Sequence, residues 1–235
     1  MDKDVEKIIR AVLKREIKNV NNPQHFSYER CPDQIVAKIF VACSGKAYLL
    51  KRCETIYEEE NFDVYERVDV VFPYGTKRVR NTIALILESP HRDEFDENNN
   101  GAARGPAFGV TGSRLNAYLP LVLRKSRKKM ALKPGVYDIA LINAIQFQCS
   151  LGEDTDCFRS KVFNECWEKE EVRNNFLCRV QVFSKRYRNY FFISCCTSFC
   201  EGKVNKLLSE NNIPFFISTH PSSWEFAENR WIKPK

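Results

Sequence analysis

The chain has 235 residues, enough for one sizeable hydrophobic core or two small ones. Its composition, 43% hydrophobic and 29% charged, is that of an ordinary globular protein, and no apolar run approaches the roughly 18 residues that span a bilayer. The formal charge of +7 is compatible with a polyanionic partner without requiring one.

The first segment, MDKDVEKIIRAVLKREIKNV, predicts an amphipathic helix over 3–20, with Val5, Ile8, Ile9, Val12, Leu13 and Ile17 on one face. Asn21-Asn22-Pro23 ends it, and the lack of a signal-peptide core leads us to expect a cytoplasmic protein. Asp33 to Ala42 reads either as a second helix started by Pro32-Asp33 or as a strand. Alternating Val64, Val68, Val70 and Phe72, followed by Pro73-Tyr74-Gly75, predict an antiparallel hairpin within 63–80.

From residue 81 the pattern changes. Four short apolar runs, Thr82–Leu87, Val136–Ile142, Asn189–Ser194 and Pro214–Ser218, have the character of strands buried on both faces of a parallel sheet. Helical segments lie between them, at about 113–130, 158–184 and 200–211. Such alternation predicts an open parallel α/β sheet covered on both faces. Right-handed crossovers then bring all four strand C-termini to one edge.

The ten cysteines contain no Cys-x-x-Cys pair, and buried free thiols are expected rather than metal ligands or disulfides. Two basic runs, Arg124–Lys129 and Lys185–Arg188, read either as solvated helix faces or as phosphate contacts.

The strand ends carry the chemistry. They are Glu88-Ser89-Pro90-His91, Asn143-Ala144-Ile145-Gln146, Cys195-Cys196-Thr197-Ser198, and Thr219-His220-Pro221-Ser222-Ser223-Trp224. Two of the three histidines, His91 and His220, fall at these tips. Strand C-termini are where open α/β sheets bind their ligands.

The order ESPH, GPAFGV (Gly105 to Val110), ALINAIQ (Ala140 to Gln146) and THPSSW (Thr219 to Trp224) resembles the uracil-DNA glycosylase superfamily. That family carries GQDPYH, GLAFSV, LLLNAV and HPSPLS in the same order. The resemblance covers residues 81–235 and implies a three-layer α/β/α sandwich with a central four-stranded parallel sheet. Residues 1–80 are left as an N-terminal helical and hairpin extension packed on that core. It further implies hydrolysis of the N-glycosidic bond of a base flipped out of DNA, whose extrusion is offset by contacts inside a pocket. By the same resemblance, Phe108 stacks on the base, Asn143 reads its pairing edge, and His220 donates to the oxygen of the leaving base. Ser222 and Ser223 grip phosphates, and Trp224 takes the place of a leucine wedge; a packed aromatic is its alternative. No cofactor is expected, and DNA is the expected partner.

Two departures from the family pattern matter. Ser89 replaces the aspartate that positions water, so Glu88 is the expected catalytic carboxylate, with Asp93 and Glu94 as weaker substitutes. His91 replaces the tyrosine that excludes bases substituted at carbon 5. A polar insertion follows it, Asp93 to Arg104. The expectation is a glycosylase acting on a 5-modified pyrimidine, hydroxymethylcytosine or its glucosylated form, in antiviral defence. Repair of uracil or another deaminated base, and a non-catalytic DNA-binding relative, are the alternatives.

Overall fold

In the computed structural model, residues 3–18, 20, 26–55, 81–99, 101–150 and 156–235 are described. The expected hairpin within 63–80 lies outside them.

The four apolar runs become β3 (Asn81–Leu87), β6 (Gly135–Asn143), β7 (Asn189–Ser194) and β8 (Phe216–Ser218), all mutually parallel in the order β6-β3-β7-β8. Val, Ile, Leu and Phe on both faces leave such strands no solvent side, so helices must cover both. On one face lie α1 (Lys3–Ile17), α3 (Asp156–Trp167), α4 (Glu170–Arg186) and α5 (Ser198–Glu210), packed over Ala84, Ile86, Ala140 and Ile142. On the other, α2 (Val110–Met130) buries Leu115, Leu119, Val122 and Leu123 against Ile83, Leu85, Ile139 and Leu141. This α/β arrangement is compatible with the expected three layers.

The sheet differs from expectation in size. It has seven strands among the described residues, not four. Asp33 to Ala42 takes the strand option, as β1 (Gln34–Val41), which pairs antiparallel with β6 and with β2 (Ala47–Lys51). The Pro32-Asp33 start imitates a helix cap, but alternating burial of Ala37, Ile39 and Val41 serves a strand with one covered face. At the far side β9 (Ile232–Pro234) runs antiparallel to β8. Parts of residues 1–80 thus belong to the same sheet as the rest.

The expected helix over 158–184 is two helices, α3 and α4. Neither Gly nor Pro marks the break at Lys169, which is extended (φ −78°, ψ 123°). Breaking there lets Trp167 stack on Phe163 at 5.4 Å and reach Phe176 at 5.6 Å, so tertiary aromatic packing overrides local propensity. A two-strand ribbon, β4 (Phe95–Asp96) with β5 (Ala102–Ala103), orders much of the polar insertion. Among the described residues no helix is long and apolar enough to cross a membrane. Cys31, Cys53, Cys149, Cys166, Cys195, Cys196 and Cys200 are buried free thiols, whereas the free thiols of Cys43 and Cys178 are exposed rather than buried.

Candidate functional site

Numbered along the chain, the parallel strands stand in the order second, first, third, fourth. The connections therefore reverse direction between β3 and β7. In open α/β sheets the crevice beyond the strand C-termini at such a reversal is the usual ligand site. A cavity of about 260 Å³ lies there, lined by Glu88, Ser89, Pro90, His91, Glu94, Thr197, His220 and Ser222 among others.

Glu88 follows directly on β3. Its backbone is pinned, because Ile145 N–H donates to its carbonyl at 2.9 Å. The side chain is buried, 6% exposed, and its Oε2 accepts from the Thr197 N–H at 3.3 Å. Thr197 caps α5, so the carboxylate sits at a helix N-terminus, where the helix dipole favours negative charge. Arg159 of α3 brings Nη1 to 3.7 Å from Oε1.

His220 faces Glu88 across the cavity, with Nε2 4.0 Å from Oε2. Its Nδ1 accepts from the Ser222 N–H at 3.3 Å and lies 2.7 Å from Ser222 Oγ. Burial pushes the imidazole below its ordinary range; Glu88 pulls it up, and Arg159 and His91 push it further down. A neutral ring that accepts at Nδ1 carries its proton on Nε2, turned toward Glu88. The hydroxyls of Ser222 and Ser223 are both engaged with His220, the latter donating to its carbonyl at 2.7 Å.

His91 sits at the cavity rim, its side chain 43% exposed and its Nδ1 3.2 Å from Asp93 Oδ2. Ser89 contacts the Cys149 thiol behind it. Glu88, Ser89, His91, His220 and Ser222 are therefore brought together from two distant stretches of chain.

Three other expected residues fall elsewhere. Trp224 is fully buried, and its indole N–H donates to Thr219 Oγ1 at 3.1 Å. Its place in the core against α2 corrects the wedge expectation, because a side chain with no exposed surface has nothing to insert into a duplex. Phe108 lines a separate cavity of about 90 Å³ with Gln34, Ile35 and Lys51, and Arg104 lies over its ring at 5.5 Å. The loop turns sharply just before it, with Ala107 at φ +63°. Ala107's carbonyl also approaches Gly112 so closely that a Cβ there would fall 1.7 Å from the oxygen. Asn143 is buried at the end of β6, in register with Leu87, and does not line the cavity. Its Oδ1 has no hydrogen-bond partner among the described residues.

Glu94, ranked low from sequence, is a conspicuous member of the wall. It is 4% exposed, its Oε1 accepts from Ala107 N–H at 2.7 Å, and its Oε2 has no partner among the described residues. Burial pushes its carboxyl up to about 8, with help from the charges of Asp93 and Glu88 and against the N–H donors of Ala107 and His91. At neutral pH the group is a carboxylic acid. With Oε1 already accepting, the proton rests on Oε2 as an unused donor. Glu94 was read from sequence only as a weaker substitute for Glu88, and Arg159 escaped that reading because it does not stand at a strand tip.

The sign of the linkage is clear. Between the ordinary carboxyl value and about 8, the unfolded chain has released this proton while the folded protein keeps it, so Glu94 lowers stability as pH rises through that window. Glu94→Gln removes this term. In urea unfolding, the variant gains on wild type by a few kcal/mol in order of magnitude between about pH 5 and about pH 8. Parallel pH profiles would show that Glu94 is not protonated in the fold.

A larger cavity, about 1050 Å³, lies between α1, β1 and α4, but its central charges, Arg179 and Asp33, are joined at 2.6 Å. The smaller cavity is the one that brings two histidines and two glutamates together at the strand C-termini. Among the described residues, no cluster of three or more His, Cys, Asp or Glu side chains is arranged to hold a metal ion. Comparison of the chain with protein-family models, curated proteins and solved structures finds no match.

Proposed function

We propose that the protein is a DNA glycosylase that hydrolyses the N-glycosidic bond of a flipped-out 5-modified cytosine, leaving an abasic site. The observation that carries this reading is the opposition of Glu88 and a neutral His220, 4.0 Å apart across one buried cavity. Glycosidic cleavage separates charge: the sugar becomes cationic as the base departs with the bonding electrons. A carboxylate on the sugar side and an N–H donor on the base side stabilise both halves of that charge. Water bonds to the anomeric carbon, its proton passes to Glu88, and the His220 Nε2–H holds the oxygen of the departing base.

The cavity volume, about 260 Å³, is just below the range of roughly 300–1,000 Å³ for pockets that enclose drug-sized ligands, which suits a single base. His91 at the rim leaves room for a substituent on carbon 5. The protonated Glu94 favours cytosine over uracil, because cytosine N3 accepts a hydrogen bond whereas uracil N3 donates one. Base stacking by Phe108 rests on the resemblance alone. A protein that strips such bases from invading DNA would serve antiviral defence.

The test is an abasic-site assay on DNA containing uracil, cytosine, hydroxymethylcytosine or glucosylated hydroxymethylcytosine. Alkali-labile breaks are expected only with the 5-modified cytosines. Breaks mainly at uracil would return the protein to base-excision repair, and no breaks with any DNA would remove the enzymatic reading.

A further inference from the structure

The two basic runs lie at the opposite edge of the sheet from the cavity. α2 starts beside the cavity, at Val110 and Thr111, and ends in Arg127, Lys128 and Lys129 just before β6 begins. α4 ends in Lys185 and Arg186 just before β7 begins. Because the core strands are parallel, both runs arrive at the N-terminal edge. There Tyr137, Asn81 and Asn189 stand side by side across β6, β3 and β7. The length of β3 puts about 20 Å between that row and Glu88.

Among the described residues the charge at this edge is one-sided. From Asn98 to Tyr137, and again from Val172 to Cys200, the chain contains no Asp or Glu. Lys125, Lys128, Lys129, Lys133, Lys185 and Arg188 are exposed, and among the described residues none has an ion-pair partner. The acids at the flanks are occupied: Asp138 lies 3.5 Å from Lys38, and Glu210 lies 3.7 Å from Lys206. Between the two runs is a cavity of about 250 Å³ lined by Lys133, Arg188, Tyr137, Tyr190, Asn81 and Asn189. Cations flanking aromatic and amide groups suit a phosphate backbone with accessible bases. Among the described residues the large apolar side chains that stand exposed, Ile35, Val110, Val182 and Phe226, do not line this cavity, whereas a lipid surface would call for an apolar insertion face.

We propose that this edge is a second nucleic-acid-binding surface, which grips phosphate backbone without reading sequence and does so independently of the cavity at the opposite edge. A single chain would then hold two segments of nucleic acid, one at each end of its strands.

The test compares wild type with the quadruple variant Lys128→Gln, Lys129→Gln, Lys185→Gln, Arg188→Gln. Binding of unmodified single-stranded DNA, duplex DNA and RNA of about 30 nucleotides is followed by fluorescence anisotropy across a salt series. The variant is expected to bind at least about tenfold more weakly at low salt, with the slope of log K against log salt reduced by about 3. Unchanged circular dichroism and melting temperature establish that it folds. The arm most affected identifies the form of nucleic acid held. Equal affinity and slope in wild type and variant would overturn the proposal. So would patch-dependent binding to phosphatidylserine vesicles with no patch-dependent binding to any nucleic acid.

Discussion

On the proposed glycosylase reading, Glu88→Gln is expected to lower single-turnover excision from hydroxymethylcytosine DNA by about 10³-fold, or about 4 kcal/mol of transition-state stabilisation. The substitution keeps the shape and an oxygen for the Thr197 N–H, and removes only the charge that opposes the developing sugar cation. Loss of activity through unfolding is a separate matter with its own sign. A buried carboxylate is costly unless well paired, and Arg159 at 3.7 Å and His220 at 4.0 Å are loose partners. The variant is therefore expected to melt at the wild-type temperature or above it. Full activity in Glu88→Gln would eliminate this carboxylate as the catalytic group and turn attention to Glu94.

On the same reading His220→Ala is expected to cost about 10²-fold, since it would delete the proposed hydrogen-bond donor to the leaving base and leave the proposed sugar-side carboxylate in place. The donor matters only as charge develops, so kcat falls while affinity for uncleaved duplex stays near wild type. A pH signature accompanies it. Burial holds the imidazole below its ordinary range, so on the acid side wild-type activity should hold below the ordinary histidine range and change where acid finally protonates the ring. The same shift affects folding. Stability from the neutral ring is present above the unfolded histidine value and is lost as pH falls toward the depressed folded value. His220→Ala should show neither effect. Retention of wild-type kcat by this variant would sink the leaving-group role.

What could be read in advance follows from where the information resides. The parallel core was legible because β3, β6, β7 and β8 are apolar on both faces, a pattern local in sequence. β1 was ambiguous because its one buried face produces the same density of apolar residues as a short helix. The division of α3 from α4 was hidden, since the cause is three aromatic rings meeting in space rather than a breaker at Lys169. Within the site, Glu88, His91 and His220 announced themselves as polar groups at strand tips. Trp224 did not announce its direction, because residues after a strand can turn inward as readily as outward. Glu94's role depends on burial and on the Ala107 N–H, neither of which has a sequence signature.

The strand pairing beyond His220 has a consequence for the order in which activity is acquired. The loop that presents His220 is stitched to chain made after it: Ser218 Oγ donates to the Trp231 carbonyl and Thr219 Oγ1 to that of Asn229, while Ile232 N–H anchors the later segment to Ser126 Oγ of α2. β9 then zips alongside β8. On the ribosome, the Glu88 side of the cavity could be shaped while His220 was still untethered. A nascent chain halted just past Trp224 would carry the whole motif yet lack the clasp that aims it, so the cavity is completed only once the chain beyond Trp224 has been made.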